Sequence, residues 1–128
     1  MLNRLLILST VCLSLFISSE ERSIIHDGLE RKYIVHIPDN FKEDSPLVFV
    51  MHGYMGTANG IMEYSGMNNI ADRENFIVVY PQGTIDINGN TFFNVGYEFD
   101  QYSKVDDVSF IRHLVLSLTQ ELNLDRTK

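Results

Sequence analysis

Seventeen acidic against ten basic side chains give this 128-residue chain a formal net charge of −7, which excludes nucleic acid or an anionic lipid surface as the expected partner. A lone cysteine, Cys12, excludes an intrachain disulfide framework. The length suits one domain and is short for a large α/β enzyme with both sheet faces covered.

The first nineteen residues read as a secretory signal peptide. Arg4 is a short basic start, Leu5 to Ile17 is apolar apart from small polar residues and Cys12, and Ser18-Ser19 precedes the acidic Glu20-Glu21. Ile17 is bulky for its place three residues upstream of that cut, so an uncleaved short anchor is the alternative. The run is short for a spanning helix. Residues 20–128 then form the folded domain, one unit more acidic once Arg4 is gone and without cysteine.

Glu21 to Ile25 and Leu29 to Ile37 flank His26-Asp27-Gly28. An Asp-Gly turn between alternating runs predicts an antiparallel β-hairpin at the edge of a sheet. Leu47 to Met51, bounded by Pro46 and Gly53, predicts a buried core strand. The His52-Gly53-Tyr54-Met55-Gly56 turn that follows is where an α/β sheet binds ligands, with two glycines to let backbone approach closely. Asn59 to Ser65 reads as a helical turn or loop; Ser65 is the expected cap of a helix carrying Met67, Ile70 and Ala71 and ending at Asn75. Phe76 to Tyr80 is a second buried strand, stopped by Pro81-Gln82-Gly83. A strand, a crossover containing a helix and another apolar strand predict a parallel βαβ unit. Thr84 to Val105 has no sustained period and reads as a long surface loop. Asp106 or Asp107 then caps a helix with Val108, Ile111, Leu114, Val115, Leu118 and Leu122 at helical spacing, ending near Leu122-Asn123.

His52 reads first as a strand-end histidine that orients a loop. No His-Glu-x-x-His spacing links it to His26, His36 or His113, so no metal site is expected. Backbone N–H groups at Gly53-Tyr54 suit a developing oxyanion. Asp106-Asp107 reads as helix capping ahead of a general acid–base pair. Asp86, Asn88 and Asn90 lack the rest of a calcium loop and read as a solvated turn. Phe92, Phe93, Tyr97, Phe99 and Tyr102 either line a substrate mouth or hold the long loop down. No serine stands in Gly-x-Ser-x-Gly, so no serine triad is assembled.

The blocks Arg31 to Pro38, Leu47 to Gly56, Ser65-Gly66 with Ala71-Asp72, Phe76 to Gly83, and Asp106 to Ile111 resemble, in order and approximate spacing, the secreted polyhydroxybutyrate depolymerase and feruloyl esterase family of α/β hydrolases. The likeness runs over residues 29–126. It implies an α/β fold, the N-terminal half of an α/β-hydrolase: an antiparallel hairpin, a parallel βαβ unit and a further helix, in an incomplete sheet. It also implies carboxylic ester hydrolysis through a serine acyl-enzyme, without a cofactor, on a small or polymeric ester. In that family the residue after His-Gly supplies an oxyanion N–H, which maps to Tyr54, with His52 and Gly53 as loop scaffold. Asp125-Arg126 resembles the approach to the nucleophile strand, and the nucleophile and triad are not present. The chain as written is therefore expected to be an inactive N-terminal part. A short non-catalytic secreted binding module, or a partner to a separately encoded C-terminal half, are the alternatives.

Overall fold

The computed structural model describes residues 19–96, 98 and 101–125. Nearly all of the expected signal segment lies outside them, as do Tyr97, Phe99 and Arg126.

Two strands, β1 (Ser19–His26) and β2 (Leu29–His36), form the expected hairpin. Asp27 and Gly28 both take positive φ, 49° and 77°, as a tight two-residue turn between twisted strands requires. Then come β3 (Leu47–Phe49), α1 (Ala58–Ser65), α2 (Met67–Glu74) and β4 (Ile77–Pro81). A small hairpin of β5 (Thr84–Ile85) and β6 (Thr91–Phe92) precedes α3 (Asp107–Glu121). The main sheet has the order β1-β2-β4-β3, antiparallel from β1 to β4 and parallel between β3 and β4. Its parallel pair and antiparallel start are the α/β architecture the sequence implies.

β4 organises the packing because it lies between two strands and under two helical layers. Ile77 and Val79 point to one face with Tyr33, Val35, Phe110, Leu114 and Leu118. Val78 and Tyr80 point to the other with Ile34, Ala58 and Ala71. The two-residue period of a strand thus distributes one apolar run over two cores. Each fully buried Val, Ile, Leu or Phe among them contributes roughly 1.5–3 kcal/mol relative to exposure.

Several elements depart from their expected form. β2 is buried on both faces from Tyr33 to His36, since it lies second in the sheet rather than at its edge. β3 stops at Phe49 and is half-buried, because its strand neighbour among the described residues is β4 alone; the Val50 N–H still reaches the Val79 carbonyl at 2.9 Å. The crossover holds two helices. Thr57 caps the first by accepting from the Gly60 N–H at 3.0 Å, and Gly66 at φ 62° turns the chain into the second. Ser65 is the last residue of α1, not the cap of α2. On α3 the buried stripe is Asp107, Phe110, Leu114 and Leu118, while Val108, Val115 and Leu116 are exposed. The segment read as a structureless loop contains the β5–β6 hairpin, whose two-residue strands are too short to leave a period.

Candidate active site

Because β3 and β4 run parallel, their C-terminal ends emerge side by side, and the His52 turn after one meets Gln82-Gly83 after the other. His52 is buried, 5% exposed. Its Nε2 accepts from the Gly83 N–H at 3.0 Å and lies 3.1 Å from the Gln82 amide nitrogen. Backbone amides only donate, so this nitrogen carries no proton and the proton sits on Nδ1, 2.7 Å from the Gly53 carbonyl. Both ring nitrogens are thereby engaged, and Phe93 packs against the ring at 4.7 Å between centroids.

The Gly53 carbonyl and the Tyr54 N–H belong to one planar trans peptide unit. That carbonyl accepts from His52 Nδ1 and also from the Gly56 N–H at 3.0 Å. Holding it toward the imidazole turns the Tyr54 N–H the opposite way. The turn is pinned further by the Met55 N–H to the Thr91 carbonyl at 2.8 Å and the Thr91 hydroxyl to the Gly56 carbonyl. Of the two glycines expected to allow close approach, Gly56 is the tight one. A Cβ there would stand 3.0 Å from the Gly53 oxygen, whereas one on Gly53 would meet nothing within 4 Å. Met55, not a glycine, takes the left-handed conformation, at φ 64°.

Gln82 holds three elements together. Its N–H donates to the Lys32 carbonyl at 2.9 Å, and its side-chain oxygen accepts from the Ala58 N–H at the start of α1. Gly83 has no room for a side chain: a Cβ would lie 2.2 Å from the Phe92 carbonyl oxygen.

Asp86, Asn88 and Asn90 form the β5–β6 turn, closed by Asp86 Oδ1 accepting from the Asn88 and Asn90 N–H groups. Its other oxygen accepts from the Tyr54 hydroxyl at 2.6 Å, and Asn90 donates to the same hydroxyl. The Tyr54 hydrogen bond above all holds the Asp86 carboxyl below its usual range. This tie between the His-Gly-Tyr turn and a hairpin thirty residues on has no signal in the sequence.

The two adjacent aspartates separate. Asp106 caps α3 by accepting from the Ser109 N–H at 2.8 Å. Asp107 is buried and paired with Arg31 at 2.5 Å, its second oxygen accepting from the Asn94 N–H. The Arg31 guanidinium also lies 3.9 Å over the Phe110 ring. Sequence reasoning missed this pair, because an arginine on an alternating strand gives no sign of its face. The aromatic residues also disperse: Phe92 is buried, Phe93 rests on His52, and Tyr102 is 74% exposed.

Serine, histidine and aspartate do meet elsewhere. Ser19 Oγ lies 2.9 Å from His36 Nδ1, and His36 Nε2 lies 2.7 Å from Asp72. This chain joins β1, β2 and α2 around a buried ring, with Asn68 donating to Ser19. Ser19 stands in a strand ladder opposite His36, not at a strand-to-helix elbow. Among the described residues no group of three or more His, Cys, Asp or Glu is arranged to hold a metal ion, and no helix is long and apolar enough to cross a membrane. A cavity of about 500 Å³ between β3 and α3, lined by Leu47, Phe49, Val115, Leu116 and Leu124 among others, includes no residue of the His52–Gly56 turn.

No protein-family model matches the chain. It is 27% identical over 103 residues to a bifunctional acetylxylan esterase/xylanase of Neocallimastix patriciarum, an alignment covering 77% of this chain and 13% of that protein. Among solved structures, the fold is similar to that of LpqC, a poly(3-hydroxybutyrate) depolymerase from Bordetella parapertussis. The TM-score is 0.57 at 15% identity, over 84% of this chain and 39% of that one. An acetyl xylan esterase from Aspergillus awamori gives 0.55 at 15% identity, over 85% and 40%. The chain thus spans about two-fifths of the solved structures it matches and a smaller share of the curated relative. Depolymerase and esterase folds are what the sequence resemblance implies, and the architecture agrees with them.

Proposed function

We propose that this chain is the N-terminal part of a secreted serine carboxylic-ester hydrolase, with the Tyr54 backbone N–H as an oxyanion-hole donor and His52 and Gly53 as its scaffold. The observation that carries the reading is the fixed Gly53-Tyr54 peptide at the joined ends of two parallel strands. An oxyanion donor must be oriented before reaction, because reorganisation during charge development would cancel its benefit. His52 supplies that orientation through Nδ1 and, with both nitrogens engaged, is a positioning residue rather than a base. The similar proteins named above, a depolymerase and two acetyl xylan esterases, support an acyl ester, small or polymeric, as the substrate class. Residues 1–19 serve as the export signal, delivering the domain to the extracellular or periplasmic side; cleavage after Ser19 removes the first residue of β1 and its hydroxyl contact to His36.

Serine esterase chemistry needs a nucleophile as well as the hole, and the sequence holds no Gly-x-Ser-x-Gly. The 128-residue polypeptide alone is therefore inactive. Incubated with a short acyl ester, it should give no turnover above a buffer blank. Hydrolysis clearly faster than that of His52→Ala and Tyr54→Pro variants would overturn the inactivity. The parent activity is tested in the DNA beyond the Lys128 codon, where a strand followed by Gly-x-Ser-x-Gly is expected in some frame. A stop codon without any such coding sequence would favour a non-catalytic binding module. In the extended polypeptide, Tyr54→Pro removes the N–H and should lower kcat by about 10²–10³, while Tyr54→Phe keeps it and should not.

A further inference from the structure

We propose that His26 and His113 form a two-histidine site for a divalent transition-metal ion, Cu²⁺ ahead of Zn²⁺, where the β1–β2 turn meets α3. Their Nδ1 atoms face each other at 3.1 Å. With metal–nitrogen bonds of about 2.0–2.1 Å, two ligands stand about 3.3 Å apart at a tetrahedral angle and about 2.9 Å at a right angle. The observed separation lies between these, and with the ring centroids 5.3 Å apart the rings point nearly at each other, so each ring must tilt to aim its lone pair at a shared ion.

The surroundings select the right atoms. Asp27 Oδ2 lies 3.4 Å from the far nitrogen of His26, Nε2, without making a hydrogen bond to it; a carboxylate on that side favours the tautomer with its proton on Nε2 and its Nδ1 lone pair toward His113. Drawn into a hydrogen bond, Asp27 would complete the carboxylate–histidine–metal order that fixes ligand tautomers in metal sites. The His26 Nε2 is buried without a hydrogen-bond partner; metal on Nδ1 would make its N–H a stronger donor and draw it onto Asp27. His113 shifts its single proton to Nε2 to expose its own lone pair. The His26 side chain is only 10% exposed and packs near Phe110, 5.9 Å between centroids, which orients its ring. His113 is half-buried, leaving a path from solvent, and water completes the coordination sphere. The chain's other two histidines do not compete, since His36 and His52 are buried with both ring nitrogens already engaged.

An ion bound there would clip two segments that are 87 residues apart in sequence, and binding only the folded state raises stability by mass action. The full 128-residue chain, titrated with Cu²⁺ by calorimetry, should bind one equivalent saturably, with a concentration-dependent rise in Tm. His113→Ala should abolish that equivalent, and Asp27→Asn should weaken it about 10–100-fold. Absence of saturable binding, or unchanged binding in His113→Ala, overturns the proposal. A second readout needs no variant: Cu²⁺ should broaden the His26 and His113 ring resonances before those of His36 and His52. Broadening of all four together also overturns it.

Discussion

At Gly83 the strand end after β4 comes so close to β6 that hydrogen is the only substituent with space, and the same residue's N–H holds His52. Gly83→Ala would push the Phe92 backbone away, and forced overpacking of this kind destabilises by about 1–3 kcal/mol. Urea unfolding followed by circular dichroism measures the loss; a midpoint equal to the parent's would contradict the contact. Tyr54 acts through two separate atoms, its N–H in the candidate oxyanion hole and its hydroxyl on Asp86. The hydroxyl bond holds the folded-state pKa of Asp86 below the ordinary value of 3.8. A depressed carboxyl pKa stabilises the fold above the unfolded value and ceases to do so as pH falls through the folded one. The contribution therefore begins to fall at about pH 4 and is gone once the pH lies below the folded-state value. Carboxyl NMR titration of Tyr54→Phe should show the Asp86 pKa rising toward normal, and an unmoved value would remove Tyr54 as the principal cause.

At the level of elements, α3 shows what sequence pattern can and cannot reveal. Its existence and start were legible, because apolar residues recur at helical spacing after two adjacent aspartates. Which aspartate caps was not, since the answer depends on Arg31, far away on β2. Asp106→Ala removes a cap and should lower stability by about 1 kcal/mol. Asp107→Ala strands the buried Arg31 charge and should lower it by about 3–5 kcal/mol. Equal losses would mean that the two carboxylates share one role. The helix face was only partly legible: Val108 and Val115 fit the period, yet Phe110 with Leu114 and Leu118 fills the core. Leu114→Ala should therefore lower stability by about 2–5 kcal/mol, and Leu116→Ala by less than about 0.5. The hairpin and β4 were readable because turn chemistry and a continuous apolar run are local signals. The β5–β6 hairpin, the Arg31–Asp107 pair and the Tyr54–Asp86 bond were not, because contacts across tens of residues leave no local trace.

For the whole molecule, the strand that leads into the candidate site is only half-covered. Among the described residues β3 pairs with β4 alone, and between β3 and α3 lies the cavity lined by Phe49, Val115, Leu116 and Leu124. A half-buried strand edge beside apolar helix residues is a template for pairing with another chain. Opposing this is the net charge of −7, whose repulsion between copies weakens as salt screens it. The two effects differ in range: contact burial acts only once chains touch, while repulsion slows their approach. Self-association of the 128-residue chain should therefore increase with both protein and salt concentration. Sedimentation velocity at low and high salt tests this, and Leu116→Lys should shift the distribution to monomer, because Leu116 is 52% exposed and a charge there is tolerated by the monomer but not in a contact. A parent chain that remains monomeric throughout would show that β3 and α3 are adequately covered by the residues already present. Association undiminished by Leu116→Lys would place the contact on another face.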